Sequence, residues 1–515
     1  MNNALLLLLS LLFLYTFQKI LAFWRAIRSI QNHPGDRLLF SPATFIGNFF
    51  PKIRYVTAGR NHLFNDKHDL FEADGFDIRT SISILPDIRI GVELADAAAI
   101  KEVTLSRARF PKPVHHYRAL TFYGHNIVAS EGEEWKKYRK ISAPAFSDRN
   151  NKMVWDATVE IMRGLFSDVW GGRDVITVDH CVDITLPIAL FVIGAAEGFG
   201  RTISWKEDTK IPPGHSMTFK DALHVVTTDF FIKLIVPPWA MGLTQRTRTC
   251  RTAFAELRQY MSEMIQTRQK EEKAERHDLF SSLLEANDHT LDVTTLTEDE
   301  LIGNIYIFLV AGHETTAHTL CFTFAMLALY PEEQEKLYEH IRSVLPRDKI
   351  PSYEEMPLFT YSMAVFYETL RMFPPVTGIP KEAAEDTSLL TTGANGQQVR
   401  VPIPKGTDIT ISTPGLHFNL QASQVIVYRE TFNFENGVYI PSSYSGARAC
   451  LGRKFFETEG IAILTMLVSQ YKISVKEEPQ FAGETFEQRK SRILAARAGL
   501  TVTPLRVPLV FTRRV

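Results

Sequence analysis

The sequence predicts a mainly α-helical protein with small β-sheets, tethered by one N-terminal membrane anchor. Three observations carry this expectation. From about Trp135 onward apolar residues recur at helical spacing, and one such run, Leu301 to Tyr330, is long for a globular helix. β-like segments are short, as in Val507 to Phe511 near the C-terminus. The chain opens on an uncharged stretch, Ala4 to Phe17.

The anchor is the first element. If Ala4 to Phe17 continues as helix to Trp24, it is about 31 Å long, enough for a bilayer core. Met1-Asn2-Asn3 carries no side-chain cation and no small-x-small cleavage site follows, which argues against a cleaved signal peptide. Lys19, Arg25 and Arg28 lie on the C-terminal side, so the positive-inside rule leaves the rest of the chain in the cytosol. His33-Pro34-Gly35 then breaks the helix, and nothing downstream is long and apolar enough for a second span. Residues 1–30 read as anchor and flank, and residues 31–515 as one large domain.

Composition supports a folded body and excludes several classes. With 45% hydrophobic and 22% charged residues the chain is not disordered, collagen-like or a disulfide scaffold. Lys+Arg 57 against Asp+Glu 58 gives a net charge of −1, which offers no electrostatic reason for a nucleic-acid partner. The four cysteines, Cys181, Cys250, Cys321 and Cys450, are too widely spaced for a finger-like metal site and read as reduced thiols.

The long helix starts at a capping-box signal, Thr297 with Glu300, and stops at Pro331. Its middle reads Ala311-Gly312-His313-Glu314-Thr315-Thr316-Ala317-His318. Ala311 and Gly312 are small enough to let a flat ligand approach, while Glu314 and Thr315 offer an acid and a hydroxyl together. The Thr315 hydroxyl has an ordinary alternative, a bond back to a carbonyl of the preceding turn. His313 and His318 are five residues apart, about 140° around the axis, and do not reproduce the zinc-binding pair of His-Glu-x-x-His.

A second constellation is Gly446-Ala447-Arg448-Ala449-Cys450-Leu451-Gly452, directly before an apolar-periodic helix from about Leu451 to Tyr471. A cysteine at a helix start meets unpaired N–H groups and the positive dipole end, which favour thiolate, and Arg448 adds to this. The two glycines permit close approach of a planar group. A thiolate with an arginine nearby suits a metal carried in an anionic macrocycle.

This loop resembles the haem-binding loop of the cytochrome P-450 superfamily, the haem-thiolate monooxygenases, and the resemblance extends over most of the chain. Ala311-Gly312-x-Glu314-Thr315-Thr316 resembles the family's oxygen-activating helix. Glu368-Thr369-Leu370-Arg371 resembles its Glu-x-x-Arg helix, whose two residues form a buried ion pair, and Trp135-Lys136-Lys137-Tyr138-Arg139 its Trp-x-x-x-Arg helix, whose named residues reach a haem propionate. The resemblance implies the P-450 fold, haem b with Cys450 as axial thiolate, and a cofactor site including Arg448, Trp135, Arg139, Gly446 and Gly452. It implies proton delivery by Thr315 and Glu314, and electrons from NADPH through a membrane-bound flavoprotein reductase. It also implies an endoplasmic reticulum membrane location with the catalytic domain in the cytosol.

For substrate, the resemblance points to Phe110–Ser130 with Phe122 and Tyr123, to Val376–Pro380 and to Ala498–Leu500. Their apolar and aromatic character suggests a lipophilic molecule, and likeness to fungal members suggests a terpenoid or other secondary metabolite. Phe231 to Leu243 is a candidate second membrane contact. The chain departs from the family pattern at Phe434, Asn436, Ser443 and Tyr444 before the cysteine, and at Lys381. These departures keep open a weakly active or non-catalytic haem- or lipid-binding homologue. A haem-thiolate isomerase or peroxygenase is a further alternative, which the intact Glu314-Thr315 pair argues against.

Overall fold

The structure is a computed structural model. It describes residues 3–44, 46–47, 50–196, 205, 210–270, 278–286, 295–346, 349–419 and 447–514. Gly446 and the divergent positions 434, 436, 443 and 444 lie outside them. The chain divides into two compact units, Met1–Pro113 with Val376–Ala449, and Val114–Pro375 with Cys450–Val515.

The first unit begins with α1 (Asn3–Ser29), a helix long and apolar enough to cross a membrane. It continues past Trp24, where the sequence reading ended the span. The chain turns at Gly35, whose φ of +137° and position 1.9 Å from the Thr80 carbonyl oxygen, measured from an added Cβ, leave no room for a side chain. Strands β1 (Gly35–Phe40), β2 (Ile78–Leu85) and β3 (Arg89–Leu94) follow. Later in the chain come β5 (Gly378–Glu382), β6 (Thr387–Thr392), β7 (Gln398–Ile403) and β8 (Asp408–Ser412), after β4 (Val175–Val178) of the second unit. The main sheet has the order β1-β2-β3-β8-β5, with β6 and β7 pairing separately. Alternate residues such as Val92, Leu94, Ile409 and Ile411 fill its core. Arg79, buried in β2, is neutralised from three elements by Asp36, Asp74 and Glu93. Such a buried cation survives only because each donor finds an acceptor.

In the second unit the principal helices are α2 (Gly132–Ser142), α3 (Asp148–Gly164), α4 (Val182–Ala196), α5 (Phe219–Thr228), α6 (Phe230–Ile235) and α7 (Gln245–Lys270). They are followed by α8 (Glu298–Leu329), α9 (Thr360–Met372) and α10 (Arg453–Gln470). The long helix α8 carries the predicted capping box: Thr297 Oγ1 accepts from Glu300 N and Glu300 returns the bond to Thr297 N. It is apolar nearly all round and correspondingly buried nearly all round, packed most extensively on α4. Small sheets complete the unit: β9 (Tyr471–Val475), β10 (Ala496–Ala498), β11 (Val502–Pro504) and β12 (Leu509–Arg513), ordered β4-β12-β9 and β10-β11. The last strand begins two residues later than Val507. Val507 is occupied elsewhere: its N–H bonds His180 Nδ1 and its carbonyl accepts from Cys181 N.

Candidate active site

The site is built around the middle of α8. From Leu301 to Ala325 every residue is buried except Phe308, Ala311, Gly312 and Thr315. These positions are i, i+3, i+4 and i+7, so they form one stripe. A helix enclosed by protein on all other sides therefore presents one open face, apolar but for a single hydroxyl. Thr315 Oγ1 donates to the Ala311 carbonyl at 2.7 Å, the back-bond open to any mid-helix threonine, and still lies on that open face.

Gly312, on the open stripe, also lies against α4. A Cβ there would stand 2.1 Å from Ile193 Cδ1 on α4. A side chain at 312 would have to displace the end of Ile193, so the glycine serves the helix–helix contact as well as the open face it shares with Ala311.

Glu314 is buried and points away from the stripe. Its carboxyl reaches Thr227 on α5, and burial, only partly opposed by that hydrogen bond, pushes its pKa up to about 7. Its Oε2 has no hydrogen-bond partner among the described residues. A buried acid that titrates near neutrality is suited to passing a proton. His313 and His318 are held apart from any shared ligand: His313 Nδ1 lies against the Leu309 carbonyl and His318 Nδ1 against Thr501 Oγ1. Burial lowers them to about 4 and about 3, so both are neutral. No cluster of three His, Cys, Asp or Glu able to hold a metal ion occurs among the described residues.

Cys450 stands just ahead of α10, whose N-cap is Gly452. Three of the four cysteines are buried and Cys450 is exposed. Even so, burial is the largest influence on its thiol and raises its pKa, against the pull of the Gly452 backbone N–H, Arg139 and Arg453. The backbone N–H and the nearby cations pull toward thiolate, as the sequence implies, while desolvation pulls the other way. Arg448 is partly buried in the turn just before Cys450.

Trp135 and Arg139 share a face of α2, with the Arg139 guanidinium 5.7 Å from the centre of the buried Trp135 indole. Arg139 is close enough to Cys450 for each to shift the other, which joins α2 to the cysteine segment. Gly452 has room beside it, the nearest neighbour of an added Cβ being the Phe146 ring at 3.7 Å. Phe146 also packs against Phe308 with the rings tilted, centroids 6.0 Å apart. It therefore links the cysteine segment to the open stripe of α8, a role that no local pattern in the sequence marks.

Glu459 was likewise missed. It lies fully buried on α10 and accepts from Thr316 Oγ1 at 3.1 Å, tying α10 to α8, and burial holds its pKa well above the carboxylate range. An acid directly before Gly460-Ile461-Ala462-Ile463-Leu464 was the available signal.

Glu368 and Arg371 form the expected bidentate pair on α9, at 2.8 and 2.7 Å. It is less buried than the sequence reading held, with Glu368 44% exposed. Tyr123 is packed away, its hydroxyl bonded to the Phe254 carbonyl and its ring against Phe254 and Tyr306, and Phe122 packs edge-on to Phe254. Tyr123 thus braces the segment, while Phe122 stays partly exposed. Lys381 is buried in β5.

The donor set fits a flat prosthetic group with one sulfur ligand: an exposed thiol just ahead of a helix, an arginine and indole near it, and an apolar helix face bearing one hydroxyl. The family model described as Cytochrome P450 matches residues 88–494. Cytochrome P450 monooxygenase 124 of Postia placenta is 51% identical over 527 residues, covering 100% of both chains. Cytochrome P450 monooxygenase prx9 of Penicillium rubens is 29% identical over 433 residues, 74% of each. The crystal structure of the cytochrome P450DA heme domain superposes with a TM-score of 0.69 at 21% identity, covering 88% of this chain and 93% of that one. The chain belongs to the cytochrome P450 family, and it is a P450 monooxygenase.

Proposed function

We propose that residues 31–515 form a haem-thiolate monooxygenase domain oxidising a lipophilic small molecule, and that residues 1–30 anchor it in the endoplasmic reticulum membrane with the domain in the cytosol. The observation that carries this reading is the open stripe of α8 together with the enclosed thiol of Cys450. Cys450 would be the iron ligand, with Trp135 and Arg139 toward a propionate and Arg448, Gly446 and Gly452 shaping the loop. Bound there, haem b would supply oxygen activation with electrons from NADPH delivered by a flavoprotein reductase.

Around that group the chain's own residues divide the work. Thr315 holds a water or proton at its hydroxyl on the open face, and Glu314, poised near neutrality, resupplies it from the α5 side. Phe308 and Ala311 keep the face apolar and exclude bulk water. That apolar lining supports a hydrophobic substrate, for which a terpenoid or another secondary metabolite is the favoured class. The exposed Trp239 and Leu243 that follow α6 support a second contact with the membrane.

The test is reduction under carbon monoxide, followed by NADPH consumption with a membrane flavoprotein reductase and a lipophilic panel, with products identified by mass spectrometry. A thiolate-type Soret band and substrate-dependent oxygenated product are expected. Absence of that band, or NADPH use that no substrate alters, overturns the reading.

A further inference from the structure

One face of α7 is given over to the chain that leads into α5. Glu256, Gln259, Tyr260 and Glu263 stand at i, i+3, i+4 and i+7, so they form one stripe. Residues 214–217 lie along it. The Gly214 carbonyl accepts from Gln259 Nε2 at 3.5 Å, and the Met217 carbonyl accepts from the Tyr260 hydroxyl at 2.8 Å. Ser216 donates to Glu256 through its N–H, at 3.0 Å, and through its hydroxyl. Phe219, the first residue of α5, packs edge-on against the Tyr260 ring.

His215 is the centre of this contact. Its Nδ1 lies 2.7 Å from Glu256 Oε2 and its Nε2 lies 3.0 Å from Glu263 Oε2, while its ring stacks on Tyr260 with centroids 3.7 Å apart. The side chain is 2% exposed. A carboxylate only accepts, so both ring nitrogens must donate, and only the imidazolium carries two N–H groups. Burial acts to raise the Glu256 carboxyl, but the bonds from Ser216 and His215 outweigh it and hold its pKa below the ordinary value, which keeps Glu256 ionised. Among the described residues, α7 thus presents Glu256, Glu263 and the Tyr260 phenol to the ring. The charged and titratable residues of α5 are Lys220, Asp221 and His224, of which Asp221 accepts from Thr218 Oγ1 at 2.7 Å.

Helix α5 runs between this contact and the candidate active site. Its 10 residues span about 15 Å. Its start is tied down through the His215 segment, and its last turn carries Thr227, the residue that bonds Glu314. A helix this short moves as one body, so loosening its start shifts Thr227 as well.

We propose that His215 is a positioning residue for proton supply: its imidazolium, gripped by Glu256 and Glu263, fixes α5 and so keeps Thr227 on Glu314. Loss of the ring proton releases one carboxylate and loosens α5, so proton supply weakens as pH rises. Histidine is the side chain whose charge ordinarily changes between about pH 5 and about pH 8. The proposal rests on the reading of Glu314 as the acid that resupplies Thr315.

The experiment uses the full-length, haem-loaded chain. Hydrogen exchange, corrected for the intrinsic chemical rate, should show protection of the α5 amides falling about tenfold between about pH 5.5 and about pH 8.5, the loss of one charge-assisted bond, with α10 unchanged. His215→Gln should show the low protection at both pH values. Glu263→Gln should show the high protection at both, because its amide can turn to accept from the charged ring or to donate to the neutral one. A step that is absent from the parent chain, or that survives in Glu263→Gln, overturns the proposal. Peroxide released per NADPH, measured with a flavoprotein reductase and farnesol as the lipophilic probe, should rise wherever protection is low in all three proteins. If peroxide does not follow protection, Glu314→Gln separates the causes. Raised peroxide in that variant means that α5 does not carry the effect of His215, and unchanged peroxide means that the reading of Glu314 itself has failed.

Discussion

Cys450, proposed above as the iron ligand, is subject to opposing influences from its surroundings. Its thiol is raised by burial, while Arg139, Arg453 and the Gly452 N–H pull the other way. Cys450→Ala should abolish the red-shifted Soret band of the reduced carbon monoxide complex, and retention of that band would remove it as ligand. For Thr315 the back-bond to Ala311 stays within one turn, so Thr315→Ala should change stability little. It should lower product formed per NADPH and raise peroxide, whereas Thr315→Ser should restore coupling; an unchanged ratio argues against a proton role.

The Glu314 carboxyl, at about 7 when folded, sits above its ordinary 4.5. Below the lower value it is protonated in both folded and unfolded chains and has no effect. As pH rises the unfolded chain ionises first, so stability falls and levels off above the folded pKa. The full loss is a few kcal/mol, at about 1.4 kcal/mol per unit of pKa difference. Glu314→Gln should therefore lack this slope when denaturant midpoints are compared between about pH 5 and about pH 8. Parallel pH profiles for the two proteins would show that the carboxyl is not held neutral.

Helix α8 was legible in advance because its start, its stop and its length are local properties. Its capping box and the Pro331 stop lie where the sequence put them, and the observed Glu298–Leu329 differs from the expected span by a few residues. What Gly312 is for was not legible, since the answer lies on α4. The contact is specific to one atom, which allows a clean test. Gly312→Ala should cost about 1–3 kcal/mol by overpacking, and Ile193→Val about 0.5–1.5 kcal/mol as a small cavity. Because the valine lacks the Cδ1 that the new methyl would strike, the double variant should be more stable than the sum of the two losses predicts. Additive losses, measured by urea denaturation, would place the origin of the Gly312 requirement elsewhere.

For the chain as a whole, the anchor and the folded body overlap. Removing residues 1–18 leaves Lys19, its bond to the Pro86 carbonyl and the Ala26–Ile30 cluster intact, so the thermal midpoint should not change. Removing residues 1–28 strips Phe23, Ala26 and Ile27 from Ile82 and Ile90, a loss of roughly two buried aliphatic side chains and a few kcal/mol. A midpoint equal to that of the shorter truncation would show that the helix end contributes nothing to the fold.

Helical class, the long capped helix, the cysteine loop and the apolar N-terminus were all readable from residue order, because periodicity, caps and motif spacing act within a few turns of chain. Tertiary structure alone decided which face of α8 stays open, that Glu314 turns toward Thr227, that Phe146 joins two motifs far apart in the chain, and that the end of α1 packs on the β2–β3 hairpin. Each of these depends on neighbours brought together across long stretches of sequence, where burial and steric contact, not local pattern, choose the direction of a side chain.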